Sequence, residues 1–307
     1  MPAKRRDPRD TVVGRAARPK LRLKDVTIAV ADCVHPQLAA RALEISLDKV
    51  EFGDAVLFSD TATAGRFRTV PIPAVRSMDD YSRFCLYELG KRTTTPFVLV
   101  VQWDGYVIDA AAWTGQFLRY DYIGAPGFSS EAMRHRPWIV GNGGFSLRSR
   151  RLLDAVATLS PLEGIAEDRL ICEVYRKTLE EDHGIRFAPE ALADRFCFFQ
   201  RDPRGATFGF HGFYNLHRAG DDDSTMDVIG QMSEPQLIRA DVFTLMHTAL
   251  RDGRSDLVRR IYAVVRGGRT ADDMRALMTR LSGNADASAA FVDRLEALGR
   301  PVAAVSD

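Results

Sequence analysis

Four short runs of nearly continuous apolar residues, Val26–Asp32, Ala55–Asp60, Phe67–Ile72 and Phe97–Val101, constrain this chain more than any other feature. Runs of that length without alternation indicate strands buried on both faces. Between them, Pro36–Val50 carries Leu38, Ala42, Leu43, Leu47 and Val50 at helical spacing, and Asp79–Lys91 does the same with Tyr81, Phe84, Cys85, Leu86 and Leu89. Strand and helix in alternation predict an α/β fold: a doubly wound, mostly parallel sheet with helices on both faces. Ligands of such sheets gather at the carboxyl ends of the strands.

With 307 residues and 46% hydrophobic composition, the chain has apolar surface for one large core or two modest ones. That excludes a disordered chain, a collagen and a disulfide-stapled miniprotein. Lys and Arg number 42 against 41 Asp and Glu, but the basic excess is confined to residues 1–25 and the remainder is mildly acidic. A folded body of that balance is unsuited to duplex nucleic acid, which needs clustered cations to displace counterions. Residues 1–25 read as a disordered basic tail without the apolar core of a signal peptide, and no later stretch approaches the ~20 apolar residues of a membrane span. Cys33, Cys85, Cys172 and Cys197 lie scattered among apolar neighbours with no C-x-x-C spacing. They read as buried free thiols in a reducing, cytoplasmic compartment.

Residues 26–219 form the expected sheet domain. An acidic and Ser-containing stretch, Gly220–Ser224, marks a linker over 220–232, and residues 233–307 revert to plain amphipathic helices, roughly Pro235–Asp252, Ser255–Val265, Thr270–Leu281 and Ala287–Leu298. Because every candidate residue lies between Asp60 and His211, the tail and this helical appendage are expected to be dispensable for the site.

From Gln102 to Tyr214 aromatic, Gly and polar residues interleave, as in loops that face a ligand. Gln102-Trp103-Asp104-Gly105 directly follows a buried strand, where a carboxylate reaches the ligand crevice and suits a divalent metal holding phosphates, although an Asp there also serves as a turn residue. Gly141-Asn142-Gly143-Gly144 lies between apolar residues and a helix beginning near Ser149. Glycine lets the backbone approach a ligand closely, and Asn142 offers hydrogen bonds to a sugar or diphosphate. No P-loop or Rossmann glycine signature is present. Glu167-Asp168 opens a helix expected over Asp168–Glu181; the macrodipole alone explains acidic residues there, and a general base is the functional alternative. His211, between Gly209 and Gly212 with Phe210 and Phe213 beside it, has room around its imidazole for a metal or phosphate. The other histidines lack such surroundings.

In the order QWDGYV, YDYIGAP, VGNGGFSLRSRRLL, the ED pair and FGFHGFYN, these segments resemble the family catalogued as domain of unknown function 5672 over roughly Val26–Leu216, and that family looks like a GT-A nucleotide-sugar glycosyltransferase. The resemblance implies a metal-binding D-x-D motif, a glycine loop, an x-E-D motif with the acceptor-side carboxylate, and a C-terminal His completing the metal site. Gln102-Trp103-Asp104 then stands at D-x-D, Gly141–Gly144 at the loop, Ala166-Glu167-Asp168 at x-E-D, and His211 at the C-terminal His. Gln102 departs from the pattern and leaves less charge for a metal, so the implied site is Asp104, His211 and two diphosphate oxygens, with Mn²⁺ favoured over Mg²⁺ by the imidazole.

The expected reaction moves a sugar from a nucleotide diphosphate, UDP first among the candidates, to an acceptor hydroxyl on a glycan, a protein or a modified base. Asp168 is the expected base, and Glu167 and Asn142 orient sugar and acceptor. Asp60, closing the second strand, accepts from a uracil N–H, and Trp103, Tyr106, Trp113, Tyr120 and Tyr122 divide between cleft and core. The rival readings are a non-catalytic nucleotide-sugar-binding or scaffold protein, favoured by Gln102, and a phosphohydrolase, which needs more clustered carboxylates and His.

Overall fold

The computed structural model describes residues 20–127, 140–160 and 162–298. Strand β1 (Leu21–Ala31) is followed by helix α1 (Pro36–Lys49), β2 (Val50–Ser59) and β3 (Arg68–Pro71). A helical arm of α2 (Met78–Arg83), a π-helical turn (Phe84–Glu88) and α3 (Leu89–Arg92) leads to β4 (Phe97–Val100). After β5 (Tyr122–Ile123) and β6 (Ser146–Ser149) come α4 (Arg150–Val156), α5 (Glu167–Arg169), a second π-helical turn (Leu170–Val174), α6 (Arg176–Glu181) and α7 (Glu190–Phe196). The short strands β7 (Cys197–Phe198) and β8 (Gly209–Phe210) precede α8 (Leu216–Ala219) and α9 (Asp222–Gly230). Five more helices or part-helices finish the fold: α10 (Glu234–Leu237), α11 (Ala240–Arg251), α12 (Ser255–Arg266), α13 (Ala271–Ser282) and α14 (Ala285–Leu298).

The six-stranded sheet has the order β3-β2-β1-β4-β6-β5. Neighbours from β3 to β4 run parallel, while β6 lies antiparallel to both β4 and β5. The expected mostly parallel α/β sheet with helices on both faces is therefore the architecture observed. The apolar runs are continuous because both faces are covered: Ile28, Leu57 and Leu99 join the cluster that includes Ala39 and Leu43 of α1, whereas Ala29, Phe58 and Val98 join the cluster that includes Phe84 and Leu89 of the helical arm. Residues one apart in a strand thus enter different cores.

β1 begins earlier than the sequence implies. Leu21 pairs with Val50 and Leu23 with Phe52, so the last residues assigned to the tail are strand. Arg22 and Lys24 conceal this by pairing with Glu51 on the solvent side. The rest of the expected tail, through residue 19, lies outside the described residues, as do Trp138 and Ile139 before the glycine loop.

The stretch expected as a linker is helical. Asp221 caps α9 by accepting from the Ser224 N–H at 2.8 Å, and Asp222 and Asp223 fill its first turn. Acidic residues were there to complement a helix N-terminus, not to solvate a flexible segment. The following helices share a core with the sheet domain: Leu38 and Ala42 of α1, with Tyr106, Phe210, Phe213 and Leu216, pack in one cluster with Val228, Val242, Leu245, Met246 and Ile261. Arg41 reaches the Ser224 carbonyl at 3.2 Å, and Thr248 the Tyr214 carbonyl at 3.0 Å.

This shared core bears on the expected dispensability of the helical region. A chain ending at residue 219 uncovers one side of α1 and the aromatic residues beneath it, a contiguous apolar patch that soluble monomers rarely tolerate. We expect that fragment to aggregate or to bind a hydrophobic dye strongly during purification. A monomeric fragment with a cooperative melt and unimpaired nucleotide binding would show that the shared cluster is not needed.

Candidate functional site

The chain passes from β1 outward to β2 and β3, then returns to place β4 on the other side of β1. A crevice opens at such a reversal, outside the carboxyl ends of the two central strands. Here it holds a cavity of about 320 Å³ lined by Asp32, Cys33 and His35 after β1, Arg76, Ser77 and Tyr81 at the head of the helical arm, Gln102 and Trp103 after β4, and Arg239 ahead of α11.

The segment after β4 folds into a tight turn. Gln102 and Gly105 exchange backbone hydrogen bonds of 3.3 and 3.0 Å, which sets Trp103 and Asp104 at the corners. Gln102 Oε1 and Asp104 Oδ1 then lie 2.9 and 3.5 Å from the same atom, His211 Nε2. His211 arrives directly after β8; its N–H donates to the Phe198 carbonyl at 3.0 Å, its ring stacks on Phe199 at 4.9 Å, and Asn215 donates to its carbonyl at 2.8 Å. Burial alone would raise the Asp104 carboxyl, but His211 and the Phe213 N–H outweigh it and hold it below the ordinary carboxylate range.

The glycine loop bridges this cluster to the acidic pair. A β-carbon on Gly144 would stand 2.2 Å from His211 Nε2, and one on Gly143 would stand 2.4 Å from Glu167 Oε1, so any side chain at either position displaces the groups it serves. The Gly143 N–H donates to Asp168 Oδ2 at 3.0 Å. Asp168 also accepts from the Arg169 N–H at 2.8 Å. Burial, then the neighbouring Glu167 charge, pushes its carboxyl up to about 7. Glu167 is tied to Arg148 Nη2 at 2.7 Å, with side-chain exposures of 5% and 0%. Arg148 also donates to Ser146 Oγ at 3.0 Å and to the Gly143 carbonyl at 3.4 Å.

The candidate residues therefore form one connected series: Gln102 and Asp104 at His211, His211 under Gly144, and Gly143 against Asp168 and Glu167. Asn142 is buried, its carbonyl accepts from the Tyr122 hydroxyl at 2.9 Å, and its Oδ1 has no partner among the described residues. Gly141 continues the loop through its N–H to the Ala125 carbonyl at 3.3 Å. Asp60 stands apart. It is exposed at the end of β2, accepts only from Thr61 among the described residues, and does not line the cavity. Asp32, which closes β1, faces the crevice instead: it accepts from the Val34 and His35 N–H groups at 2.7 and 2.6 Å, its carboxyl is raised by burial, and it senses the Asp104 charge.

Of the aromatic candidates, Trp103 lines the cavity, edge-on to His35 at 5.4 Å. Tyr106 and Tyr122 are core, and Trp113 packs on Phe117 and Phe208. The helix expected over Asp168–Glu181 is broken by its π-helical turn and again at Tyr175. All four cysteines are free, and Cys85, Cys172 and Cys197 are buried. Sequence reasoning missed Arg148, although a charged residue alternating with Phe145 and Leu147 in a buried strand demands a counter-charge. It also passed over Arg76, Tyr81 and Arg239, which carry no local signal.

Among the described residues no three His, Cys, Asp or Glu side chains come together as a metal cluster, and no helix is long and apolar enough to cross a membrane. The donors around His211 Nε2 nonetheless fit a hard divalent cation in kind: one carboxylate, one imidazole and one amide carbonyl.

Residues 65–211 match the model of a family described as "Protein of unknown function (DUF5672)", a span that holds the turn after β4, the glycine loop and the acidic pair and ends on His211. The resemblance to that family is borne out over this span. No curated protein matches the chain. Solved structures similar to it include three described as glycosyltransferases or a mutant of one. The first is described as the mannosyltransferase PcManGT from Pyrobaculum calidifontis in complex with GDP-Man and Mn²⁺, with 12% identity, a TM-score of 0.38 and coverage of 89% of this chain and 85% of that one. The second is a glycosyltransferase involved in glycosylation of the major capsid of PBCV-1, with 11% identity, a TM-score of 0.35 and coverage of 61% and 93%. The third is an active-site mutant of LgtC, with 12% identity, a TM-score of 0.35 and coverage of 60% and 86%.

Proposed function

We propose that this protein transfers a sugar from a nucleotide-diphosphate sugar to an acceptor hydroxyl. The observation that carries the reading is the meeting of four separate segments beside the turn after β4, whose Gln102 and Trp103 line the crevice: the Asp104, Gln102 and His211 group stands on one side of the glycine loop and Asp168 on the other. Transfer requires a place for the departing diphosphate, a base for the acceptor hydroxyl where the anomeric centre inverts, and exclusion of water.

In this reading the nucleotide lies in the cavity between Asp32 and Trp103, and its diphosphate faces Asp104 and His211. Asp104, His211 and the Gln102 carbonyl would hold a divalent cation, Mn²⁺ before Mg²⁺ because of the imidazole. When bound, the cation supplies positive charge that stabilises the diphosphate as it leaves. Asp168 accepts the acceptor proton, for which a carboxyl raised toward neutrality is suited. Glu167, locked to Arg148, positions Asp168, and the unpartnered Asn142 Oδ1 accepts from a sugar hydroxyl. Asp32 takes the place at the nucleotide that the sequence suggested for Asp60. The free thiols favour a cytoplasmic setting.

Gln102 in place of a carboxylate favours one rival, a protein that binds the nucleotide sugar without turning it over. Both readings predict stabilisation by nucleoside diphosphate with Mn²⁺, by about 2.7 kcal/mol at a hundredfold excess over Kd. A screen of UDP- and GDP-sugars by released nucleotide separates them: we expect turnover with one donor class, lost in Asp104→Ala with the melting profile kept. Binding without turnover across the donors and candidate acceptors would favour the rival, and full turnover in excess EDTA would remove the cation.

A further inference from the structure

The crevice has a wall that none of the sequence motifs supplies. Arg76 precedes the helical arm of the sheet domain, and Arg239 precedes α11 in the C-terminal helical region, yet both line the same cavity. Both are exposed, and neither guanidinium has a hydrogen-bond or ion-pair partner among the described residues. Several other arginines of residues 216–298 are committed: Arg218 and Arg251 to Asp202, Arg254 to Asp222, Arg269 to Glu234.

The rim that carries Arg239 is fixed in place. Gln236, in the turn before it, contacts His35 Nε2 at 2.9 Å through its side-chain nitrogen, and the His35 ring packs edge-on against Trp103 inside the cavity. Behind it, Val242, Leu245 and Met246 of α11 are buried in the cluster shared with α1. Arg239 is therefore held over the crevice by packing on the sheet domain.

The charge of the crevice gives these arginines a task. Asp32 lines the crevice and Asp104 stands in the turn after β4 next to it, two carboxylates that make an unfavourable setting for an anionic ligand. Gln102 makes the Asp104 site one carboxylate poorer than two-aspartate chemistry provides, so less positive charge is recruited by way of a cation. A guanidinium presents a planar fork matched to phosphate oxygens and keeps its charge at all working pH values.

We propose that Arg76 and Arg239 both bind the donor's diphosphate, so that the C-terminal helical region supplies part of the donor site. This rests on the transfer reading above and names the groups that receive the leaving phosphates.

The test uses the full chain and titration calorimetry with UDP, GDP, inorganic pyrophosphate and uridine, in EDTA and again with Mn²⁺. Arg76→Gln and Arg239→Gln each weaken the nucleoside diphosphate that the wild type binds by roughly tenfold to a hundredfold, the range for hydrogen bonds to a charged group. They weaken pyrophosphate similarly and change uridine binding less than twofold. Arg239→Lys recovers part of the loss, since it restores the charge without the fork. Diphosphate affinity unchanged within twofold in both Gln variants, with melting profiles like the wild type, overturns this role for the two arginines and leaves the transfer reading standing. A wild-type chain that binds no nucleoside diphosphate, with or without Mn²⁺, overturns both.

Discussion

Replacing Asp168 with Asn is expected to lower sugar transfer about 10²–10⁴-fold, the usual contribution of a positioned general base, while nucleotide affinity stays within a few-fold. Asn keeps the shape and can accept one of the two backbone hydrogen bonds that Asp168 receives from Gly143 and Arg169. What it removes is the proton acceptor. The groups facing Asp168 are Glu167 beside it, Arg148 from β6, Tyr122 from β5, Cys172 from the π-helical turn and Cys85 from the helical arm. Burial and the Glu167 charge leave the carboxyl near 7, so wild-type transfer should rise as pH increases from 6 to 8.

Stability supplies an independent reading of the same residue. A carboxyl raised from 3.8 to about 7 favours the folded state most when protonated. That contribution is complete below its unfolded value and is lost as pH rises through the folded one. Asn does not titrate, so the melting temperature of Asp168→Asn should gain on the wild type between pH 5 and pH 8. Unfolding of the variant would assign Asp168 a structural role, at the helix start and in holding the Gly143 N–H, in place of the base. Normal transfer in a folded variant means that the anomeric configuration is retained without such a base, or that Glu167 carries the proton; the product anomer, read by NMR, separates the two.

How much of this was legible in the sequence depends on the range of the interaction involved. β2, β4 and α1 could be read because burial on both faces and helical spacing are written in consecutive residues. Asp32 and Asp60 both close apolar runs and look alike in sequence. Only the strand order, with β1 beside β4 and β2 one step removed, sends the first to the crevice and leaves the second in solvent. Gln102 likewise reads as a weakened metal motif until His211, more than a hundred residues later, is seen to contact its amide oxygen. The acidic stretch around Asp221 has the composition of a linker, and its capping role shows only in the backbone it accepts from. Arg239 was hidden for a related reason: its place depends on a core shared by α1 and α11, which no local pattern records.

The largest loss of stability is expected from Arg148→Met, which fills the space of the aliphatic stem and removes the charge. Arg148 and Glu167 are enclosed almost completely, with side-chain exposures of 0% and 5% and a 2.7 Å contact. The guanidinium also lies over the Tyr122 ring at 5.8 Å and steadies Gly143 and Ser146. Removing one partner of such a pair leaves a buried charge without compensation, which costs about 3–5 kcal/mol, far more than an exposed pair contributes. Urea unfolding should show that loss in the midpoint. Removing both charges tests its cause: in Arg148→Met combined with Glu167→Gln, much of the stability should return, because the orphaned charge and not the absent attraction is the main penalty. A single variant that loses less than about 1 kcal/mol would place water or another cation beside Glu167. A double variant no better than the single one would put the importance of Arg148 in the glycine loop it braces, and Gly143 would then be the residue through which it reaches Asp168.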